Sequence, residues 1–533
     1  MTQDWPPPPV APVLGRIDAY LDHWAALRGD DEFLIDGGPV LTGRRMSWHQ
    51  TRREVDGVAA ALAAAGLQRG DRVSYLADSR LDFFVHFLAA SSIGLVWQGL
   101  SPKHTWNELS YVVGDFRPRV VFDARLGDAT SDDLVARLVA ETPNVERGVV
   151  VDSPDWVDLL SNGEVLGPED LDRRRSEVEP MDPAFIVYTS GTTGRPKGAL
   201  LTHRGVCYCG VSGVTARGGP DLRIICNLPV NHIGAISDIC CRKMVGSGSI
   251  VFQERFDAGF MLATIAAERV AMWGGVPTMF QMCADHPDFD TTDLSSIRQI
   301  QWGGAPMPAP VLSRLLERVN AERCVTGYGM TETTGGVTAM PPDATADQIV
   351  TTVGRPIPGH EIRIADDGRE VAVGQSGEVQ VRGDWTMAGY WNRPEATARV
   401  IDAEGWLSTG DLGLMRPDGH LQLVGRLSEM FKTGGYNAYP REIEMCLEDH
   451  PAVRMAAVVA VPDAMFDEVG HAFVVADADA DTDPEDLRDH CRERLANYKV
   501  PKAVHLRTAL PMLAIGKVDK KALRSEAVDL AGR

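Results

Sequence analysis

Positive charge is in short supply: 53 lysines and arginines face 74 aspartates and glutamates, leaving a formal net charge of −21. A nucleic-acid duplex or an anionic membrane needs a concentrated basic face to neutralise its phosphates, so neither is expected as a partner. No CxxC pair occurs among the nine cysteines, and the odd count reads as reduced, mostly packed thiols. No uninterrupted apolar run reaches spanning length, and the proline-rich start, 1–15, offers no apolar core for a signal peptide. The final Leu530-Ala531-Gly532-Arg533 is no peroxisomal address. Integral membrane association is therefore not expected, and the cytoplasm is the expected compartment. Absent too are GxSxG, HExxH and a GxGxxG with its acidic follower. Their absence removes the motif support for a serine nucleophile, a zincin helix or a dinucleotide fold.

What is present is ordinary globular material, 44% apolar and 24% charged, near the averages of packed domains. A chain of 533 residues exceeds what one core usually serves, so two or more domains are expected. From Arg72 onward short strand-like runs alternate with helical stretches. Residues 72–76, 96–100, 120–122 and 149–151 read as strands, 81–91 as an amphipathic helix, and Thr105 with Glu108 as a capping box. The rhythm resumes at 224–228, 250–252, 271–273, 297–302 and 324–328. Such alternation implies parallel, helix-covered sheets. Between Ile362 and Arg426 short runs with frequent glycine imply antiparallel β-structure. A smaller mixed segment follows, with helices near 442–450 and 484–496 and strands at 456–461 and 471–475. The expected architecture is α/β: a large N-terminal domain of two doubly wound sheets plus a β-lobe, residues 1–427, and a small mobile α+β C-terminal domain, residues 428–533.

After the apolar run 184–188 comes Thr189-Ser190-Gly191-Thr192-Thr193-Gly194-Arg195-Pro196-Lys197-Gly198. Its glycines allow close backbone approach, its hydroxyls and amides donate hydrogen bonds, and Lys197 supplies charge, a combination suited to a polyphosphate. The spacing is not GxxxxGK(S/T), so an ordinary P-loop is not supported. On composition alone the bland alternative is a flexible surface turn.

These residues resemble the signature loop of the adenylate-forming superfamily of acyl-CoA synthetases, peptide-synthetase adenylation domains and beetle luciferases. Five further blocks stand in the family's order: Gly303-Gly304-Ala305-Pro306, Gly327-Tyr328-Gly329-Met330-Thr331-Glu332, Ser408-Thr409-Gly410-Asp411, Gly425-Arg426 and Gly516-Lys517. The resemblance implies ATP, Mg²⁺ and CoA as cofactors and two half-reactions. A carboxylate attacks the α-phosphorus of ATP to give an acyl-adenylate and pyrophosphate, and a thiol then displaces AMP.

The same resemblance implies residue roles. Glu332 beside Thr331 holds Mg²⁺, an oxygen-seeking cation. Tyr328 and the turn Gly304, Ala305, Pro306 enclose adenine. Asp411 offers two acceptor oxygens to the ribose, and Arg426 reaches the ribose or α-phosphate with its planar fork. Lys517 is the mobile lysine that reaches both the attacking carboxylate and the α-phosphate, although Leu513 stands where a threonine is common. Lys432, Gly434 and Gly435 precede Pro440-Arg441-Glu442 and pass the pantetheine arm. Ser428 matches the hinge, where relatives generally carry aspartate or lysine. Taken singly, Glu332 reads as a surface acid, Tyr328 as a core aromatic, Asp411 with Arg426 as a surface salt bridge, and Gly434-Gly435 as a turn. Their order and company favour the family roles.

For the acid, His232 resembles the aromatic gate between acid pocket and nucleotide. Ile233 replaces the aspartate that amino-acid-activating relatives place just after that point, which weighs against an amino acid. Gly329 stands where acetate-specific relatives put an indole, and Gly303, Gly327, Gly335 and Gly336 are small at pocket positions. The expectation is a roomy, mostly apolar pocket for an aromatic, alicyclic, medium- to long-chain or steroid-derived acid. Trp273 and Trp302 read as core aromatics, and Arg242 with Lys243 as facing solvent. The partners expected are a small carboxylic acid, ATP and CoA, with a homodimer allowed. A stand-alone adenylation enzyme that loads a carrier protein shares the first half-reaction. A catalytically silent nucleotide-binding scaffold is disfavoured by the joint presence of Lys197, Glu332, Asp411, Arg426 and Lys517.

Overall fold

Val96–Leu100 and Ile250–Phe252 are buried along their whole lengths, and a strand of that kind needs layers on both faces. In the computed structural model, which describes residues 12–38, 43–125, 134–189, 195–477, 482–512 and 518–531, these strands lie inside two seven-stranded sheets. One sheet runs Gly389–Tyr390, Lys197–Thr202, Pro183–Thr189, Val96–Leu100, Arg72–Ala77, Val120–Ala124, Arg147–Val150. Its last five strands are parallel, and its first two are antiparallel to their neighbours. The other runs Arg323–Val325, Gln299–Trp302, Met272–Gly275, Ile224–Cys226, Ile250–Phe252, Glu32–Asp36, Arg45–Ser47, parallel except at the final pair. Helices such as Leu81–Ser92 and His203–Arg217 are buried nearly all round, as expected between layers.

A five-stranded antiparallel sheet between Glu361 and Arg426 forms the β-lobe. The C-terminal portion carries a further five-stranded sheet built on the long hairpin Val453–Asp463 and Asp467–Ala476, packed against the helix Pro440–Glu448. The expected α/β architecture of two doubly wound sheets, a β-lobe and a smaller α+β portion is the one observed. Arg454 of the C-terminal sheet reaches Asp285 of the large portion at 2.6 Å.

Local signals and long-range ones fare differently. The Thr105 and Glu108 capping box forms as read, with both side-chain-to-backbone bonds present. The elements before Arg72 went unread: Glu32–Asp36 pairs with Ile250–Phe252, and Trp48 of the helix Trp48–Ala64 stacks on Phe33 at 3.7 Å. The expected strand at 324–328 stops at Val325, because Tyr328 leaves the sheet to bond elsewhere. Trp273 and Trp302 are core, as read, and eight of the nine free thiols are buried, Cys324 half-buried.

Arg242 and Lys243 correct the reading that they face solvent: both are buried. They follow a π-helix, Gly234–Cys241, whose wider turn shifts the phase of the residues after it. Lys243 Nζ donates to the Gly219 carbonyl at 2.6 Å, and Arg242 donates to the Asp238 carbonyl and to Gln301 Oε1, each at 2.8 Å.

Three histidines are held neutral inside this core. His86 lies 4.5 Å from the rings of both Tyr75 and Phe122, and its Nδ1 accepts from Trp97 Nε1. Burial pushes its pKa down to about 3, and pushes His203 and His360 down to about 4. A folded pKa below the unfolded one means that the unfolded chain takes up a proton the folded chain refuses. The stability these groups contribute is therefore present above pH 6.5 and lost as the pH falls below it. Each histidine is expected to remove about 1.4 kcal/mol per pH unit between pH 6.5 and its folded value. Denaturant midpoints from pH 7 to 5, with NMR showing the His86 imidazole untitrated over that range, check this.

Candidate functional site

The strand Lys197–Thr202 organises the site. Antiparallel pairing sets Thr189 opposite Lys197, so the glycine-rich loop springs from two adjacent, hydrogen-bonded stems. Ser190, Gly191, Thr192, Thr193 and Gly194 lie outside the described residues, as do Gly516 and Lys517. On its other edge the same strand pairs with Gly389–Tyr390, and Trp391 N donates to the Gly198 carbonyl at 2.7 Å. Tyr390 is thereby held against Lys197, whose Nζ is 5.3 Å from the ring centre.

Glu332 meets this group from the short helical turn Thr331–Thr333. Its carboxylate Oε1 accepts from the Tyr390 hydroxyl at 2.8 Å and from the Thr189 hydroxyl at 3.5 Å. Glu332 is 5% exposed, and no lysine or arginine ion-pairs with it among the described residues. Burial, and then the Glu332 charge, push the Tyr390 phenol above its ordinary pKa, so it stays a donor. Sequence reasoning missed Tyr390. The aromatic run Tyr390-Trp391 was visible, but its pairing across the sheet edge was not.

Tyr328 sits at the head of the same connection. Its main chain is fixed by Thr338, whose hydroxyl accepts from Tyr328 N at 2.7 Å, and by Val337 N, which donates to its carbonyl. Its hydroxyl donates to Asp411 Oδ2 at 2.6 Å. Asp411 and Arg426 face each other across the β-lobe, and Arg426 Nε contacts Asp411 Oδ1 at 2.9 Å. Asp411 is buried while the Arg426 side chain is 55% exposed, so the pair offers a fixed acceptor and a movable cation. The structure thus forms two groups from distant stretches of sequence, Thr189, Lys197, Tyr390 and Glu332 in one and Tyr328, Asp411 and Arg426 in the other, joined by the short chain from Tyr328 to Glu332.

Other predicted residues lie around this centre. Gly303 and the exposed turn Gly304, Ala305, Pro306 follow the strand Gln299–Trp302, with Gly304 at φ +81. His232 and Ile233 precede the π-helix, and His232 Nδ1 accepts from Gly234 N at 3.0 Å. Gly329 and Met330 pair with Gly335 and Gly336. A Cβ on Gly329 would meet the Gly335 carbonyl oxygen at 2.2 Å, and one on Gly327 the Thr338 carbonyl oxygen at 2.3 Å. Glycine at these two positions is thus demanded by backbone packing as well as by any need for room. A Cβ on Gly303 would meet nothing within 4 Å.

Ser428 is exposed in the turn after Arg426, and Leu427 N still donates to the Gly410 carbonyl at 2.9 Å. Lys432, Gly434 and Gly435 lie on the hairpin of Phe431–Thr433 and Tyr436–Ala438, apart from the buried group. Gly434 and Gly435 both have positive φ, 58° and 85°, the conformation that a tight two-residue hairpin turn requires.

Removing the phenol should expose the cost of the buried Asp411. Tyr328→Phe is expected to lower unfolding stability by about 1–3 kcal/mol, because a buried carboxylate loses a donor. Urea denaturation of the variant beside the wild type reads this directly.

Comparison with known proteins gives concordant matches. Family models described as AMP-binding enzyme and AMP-binding enzyme C-terminal domain match residues 21–391 and 442–517. A feruloyl-CoA synthase of Amycolatopsis is 36% identical, over 92% of this chain and 94% of its own. A (7a-methyl-1,5-dioxo-octahydro-1H-inden-4-yl)propanoyl:CoA ligase of Mycobacterium tuberculosis is 35% identical, over 96% and 99%. The crystal structure of ATP-bound MatB from Rhodopseudomonas palustris superposes with a TM-score of 0.80 at 29% identity, covering 97% of this chain and 99% of that one.

Proposed function

The chain belongs to the AMP-binding enzyme family of adenylate-forming enzymes and is an AMP-forming acid:CoA ligase using ATP, Mg²⁺ and CoA, and we propose how its residues divide that work and which acid it takes. The observation that carries the assignment is the buried oxygen group of Glu332, Thr189 and Tyr390 set beside Lys197. Mg²⁺ favours hard oxygen donors and substrate phosphates. A buried carboxylate with hydroxyl neighbours and no lysine or arginine ion pair among the described residues fits that ion, and Glu332 with Thr331 would hold it. When bound, it supplies positive charge to the phosphates.

Lys197 and the amides of the loop that follows Thr189 cradle the β- and γ-phosphates. The fixed Asp411 carboxylate receives the ribose hydroxyls, and Tyr328 lies against adenine opposite the Gly304, Ala305, Pro306 turn. Arg426 swings from Asp411 to the α-phosphate. Adenylation forms a bond from a carboxylate oxygen to the α-phosphorus as the bond to pyrophosphate breaks. The protein contributes alignment and charge neutralisation rather than a nucleophile of its own. Lys517 bridges carboxylate and α-phosphate in this step. We place the domains at 1–427 and 428–533, with Ser428 as the hinge about which the smaller one turns. That turn withdraws Lys517 and brings Lys432, Gly434 and Gly435 to the pantetheine arm. The thiol sulfur then bonds to the acyl carbon, and AMP leaves.

The acid is bulky and largely apolar, ring-bearing as in the feruloyl and octahydroindenyl relatives, entering past His232 and Ile233 toward Gly303, Gly327, Gly329 and Gly335. Cytoplasmic placement and a homodimer complete the reading, the latter checked by native mass.

Pyrophosphate release from ATP and Mg²⁺ across a panel of acids, with CoA present or omitted and products read by mass spectrometry, tests the whole. One bulky acid should yield an acyl-CoA; an adenylate without a thioester would make the acceptor a carrier protein. Glu332→Gln should lower adenylation kcat/KM by about 100-fold. Lys517→Ala should suppress adenylation yet still permit thiol transfer from supplied acyl-AMP, and equal loss of both half-reactions would overturn the role given to that lysine.

A further inference from the structure

Arg217 closes the helix His203–Arg217, with its side chain only 8% exposed. Its guanidinium lies against glycine backbone: a Cβ on Gly336 would fall 1.4 Å from Nη2, and one on Gly327 3.0 Å from it. Both are glycines that the sequence reading assigns to the acid pocket. Sequence reasoning did not single out Arg217, since an arginine ending a helix ordinarily serves the helix dipole at the surface.

The guanidinium is under-used where it lies. Nη1 donates to Asp238 Oδ1 and Nη2 to the Thr338 carbonyl, both at a long 3.3 Å, and buried Nε has no partner among the described residues. Behind it, buried Arg242 spends Nε on the Asp238 carbonyl and Nη2 on Gln301 Oε1, while its Nη1 is likewise without a partner. Asp238 is the carboxylate that faces both, so the group has spare donors and more positive than negative charge. Burial and the neighbouring Arg217 push the Arg242 guanidinium down to about 10. Buried donors left unmade are costly, and a charged one more so.

Asp238 also touches the pocket wall, since a Cβ on Gly335 would meet its Oδ1 at 3.2 Å. It lies inside the π-helix Gly234–Cys241, which begins two residues after His232.

We propose that the acid carries a hydrogen-bond-accepting oxygen, keto or carboxylate, at the end of its skeleton remote from the reacting carboxylate, and that Arg217, backed by Arg242 and Asp238, receives it. This specificity rests on the ligase reading and on the glycine-lined pocket. Nη2 and Nε of Arg217 supply the donors, and the apolar body of the acid fills the space between.

The test uses the full chain and three matched acids: 3-cyclohexylpropanoic acid, its 4-oxo derivative and its 4-carboxy derivative. Pyrophosphate release gives kcat/KM for each, and calorimetry gives Kd for each independently of turnover. The wild type should favour at least one oxygen-bearing acid over the parent by about tenfold or more, and the better of the two identifies the oxygen. Arg217→Met should bring that ratio to about one. Asp238→Asn, which leaves Arg217 without its counter-charge, should raise the preference for the 4-carboxy acid and serves if the methionine variant does not fold. Turnover without preference, or a loss shared equally by all three acids in Arg217→Met, overturns the proposal. Oxygen-selective, Arg217-dependent binding without turnover would uphold this subsite while overturning the ligase reading; absence of selectivity in binding would sink the subsite.

Discussion

Everything in the site hangs on the strand Lys197–Thr202 being gripped along both edges. Its pairing with Pro183–Thr189 fixes the two stems of the glycine-rich loop, and its pairing with Gly389–Tyr390 brings the β-lobe's connection onto the same sheet. Backbone hydrogen bonds buried in a sheet tolerate little displacement, because an unmade one is not recovered from solvent. Thr189, Lys197 and Tyr390 consequently start from positions set by main chain rather than by side-chain preference. Glu332 needs only to reach them from a turn whose own carbonyl is held by Met387 N at 2.8 Å. A site on such supports keeps its geometry.

A second anchor links the nucleotide side to the C-terminal portion. Tyr328 ties the connection after Val325 to Asp411 in the β-lobe, and Asp411 holds Arg426 on the neighbouring strand, the residue after which the chain passes to the smaller sheet. Beyond that point Lys520 contacts Glu429 at 2.6 Å and Glu444 at 2.8 Å. Burial opposes the charge on Lys520, but the two carboxylates outweigh it and hold its pKa above the ordinary lysine value. The helix that Lys520 opens is thus moored next to Ser428 through Glu429.

The glycines illustrate how one residue type answers to separate demands. Gly434 and Gly435 are required by a left-handed backbone in a two-residue turn. Gly327 and Gly329 are required because neighbouring carbonyl oxygens occupy the space of a side chain, whereas a side chain at Gly336 would displace the Arg217 guanidinium. Of the glycines read from the sequence as lining the acid pocket, Gly303 alone has nothing within 4 Å of where a Cβ would stand. Small residues at pocket positions therefore do not translate directly into pocket volume, and part of the room inferred from them is taken by a guanidinium.

The sequence by itself determined the class of fold and much of the strand and helix order from Arg72 onward, because strand and helix periodicity and the Thr105 and Glu108 capping box are local properties. Motif order along the chain also singled out Tyr328, Glu332, Asp411 and Arg426, of which the structure joins Tyr328 to Asp411 and Asp411 to Arg426. Only the tertiary structure decided that Glu32–Asp36 belongs in the sheet of Ile250–Phe252, that Tyr390 completes the oxygen group at Glu332, that Arg242 and Lys243 turn inward after a π-helix, and that Arg217 lies on the glycine wall. Each of those depends on contacts between residues far apart in sequence, where the same side chain would read equally well as surface or core until the layers that bury it are in place.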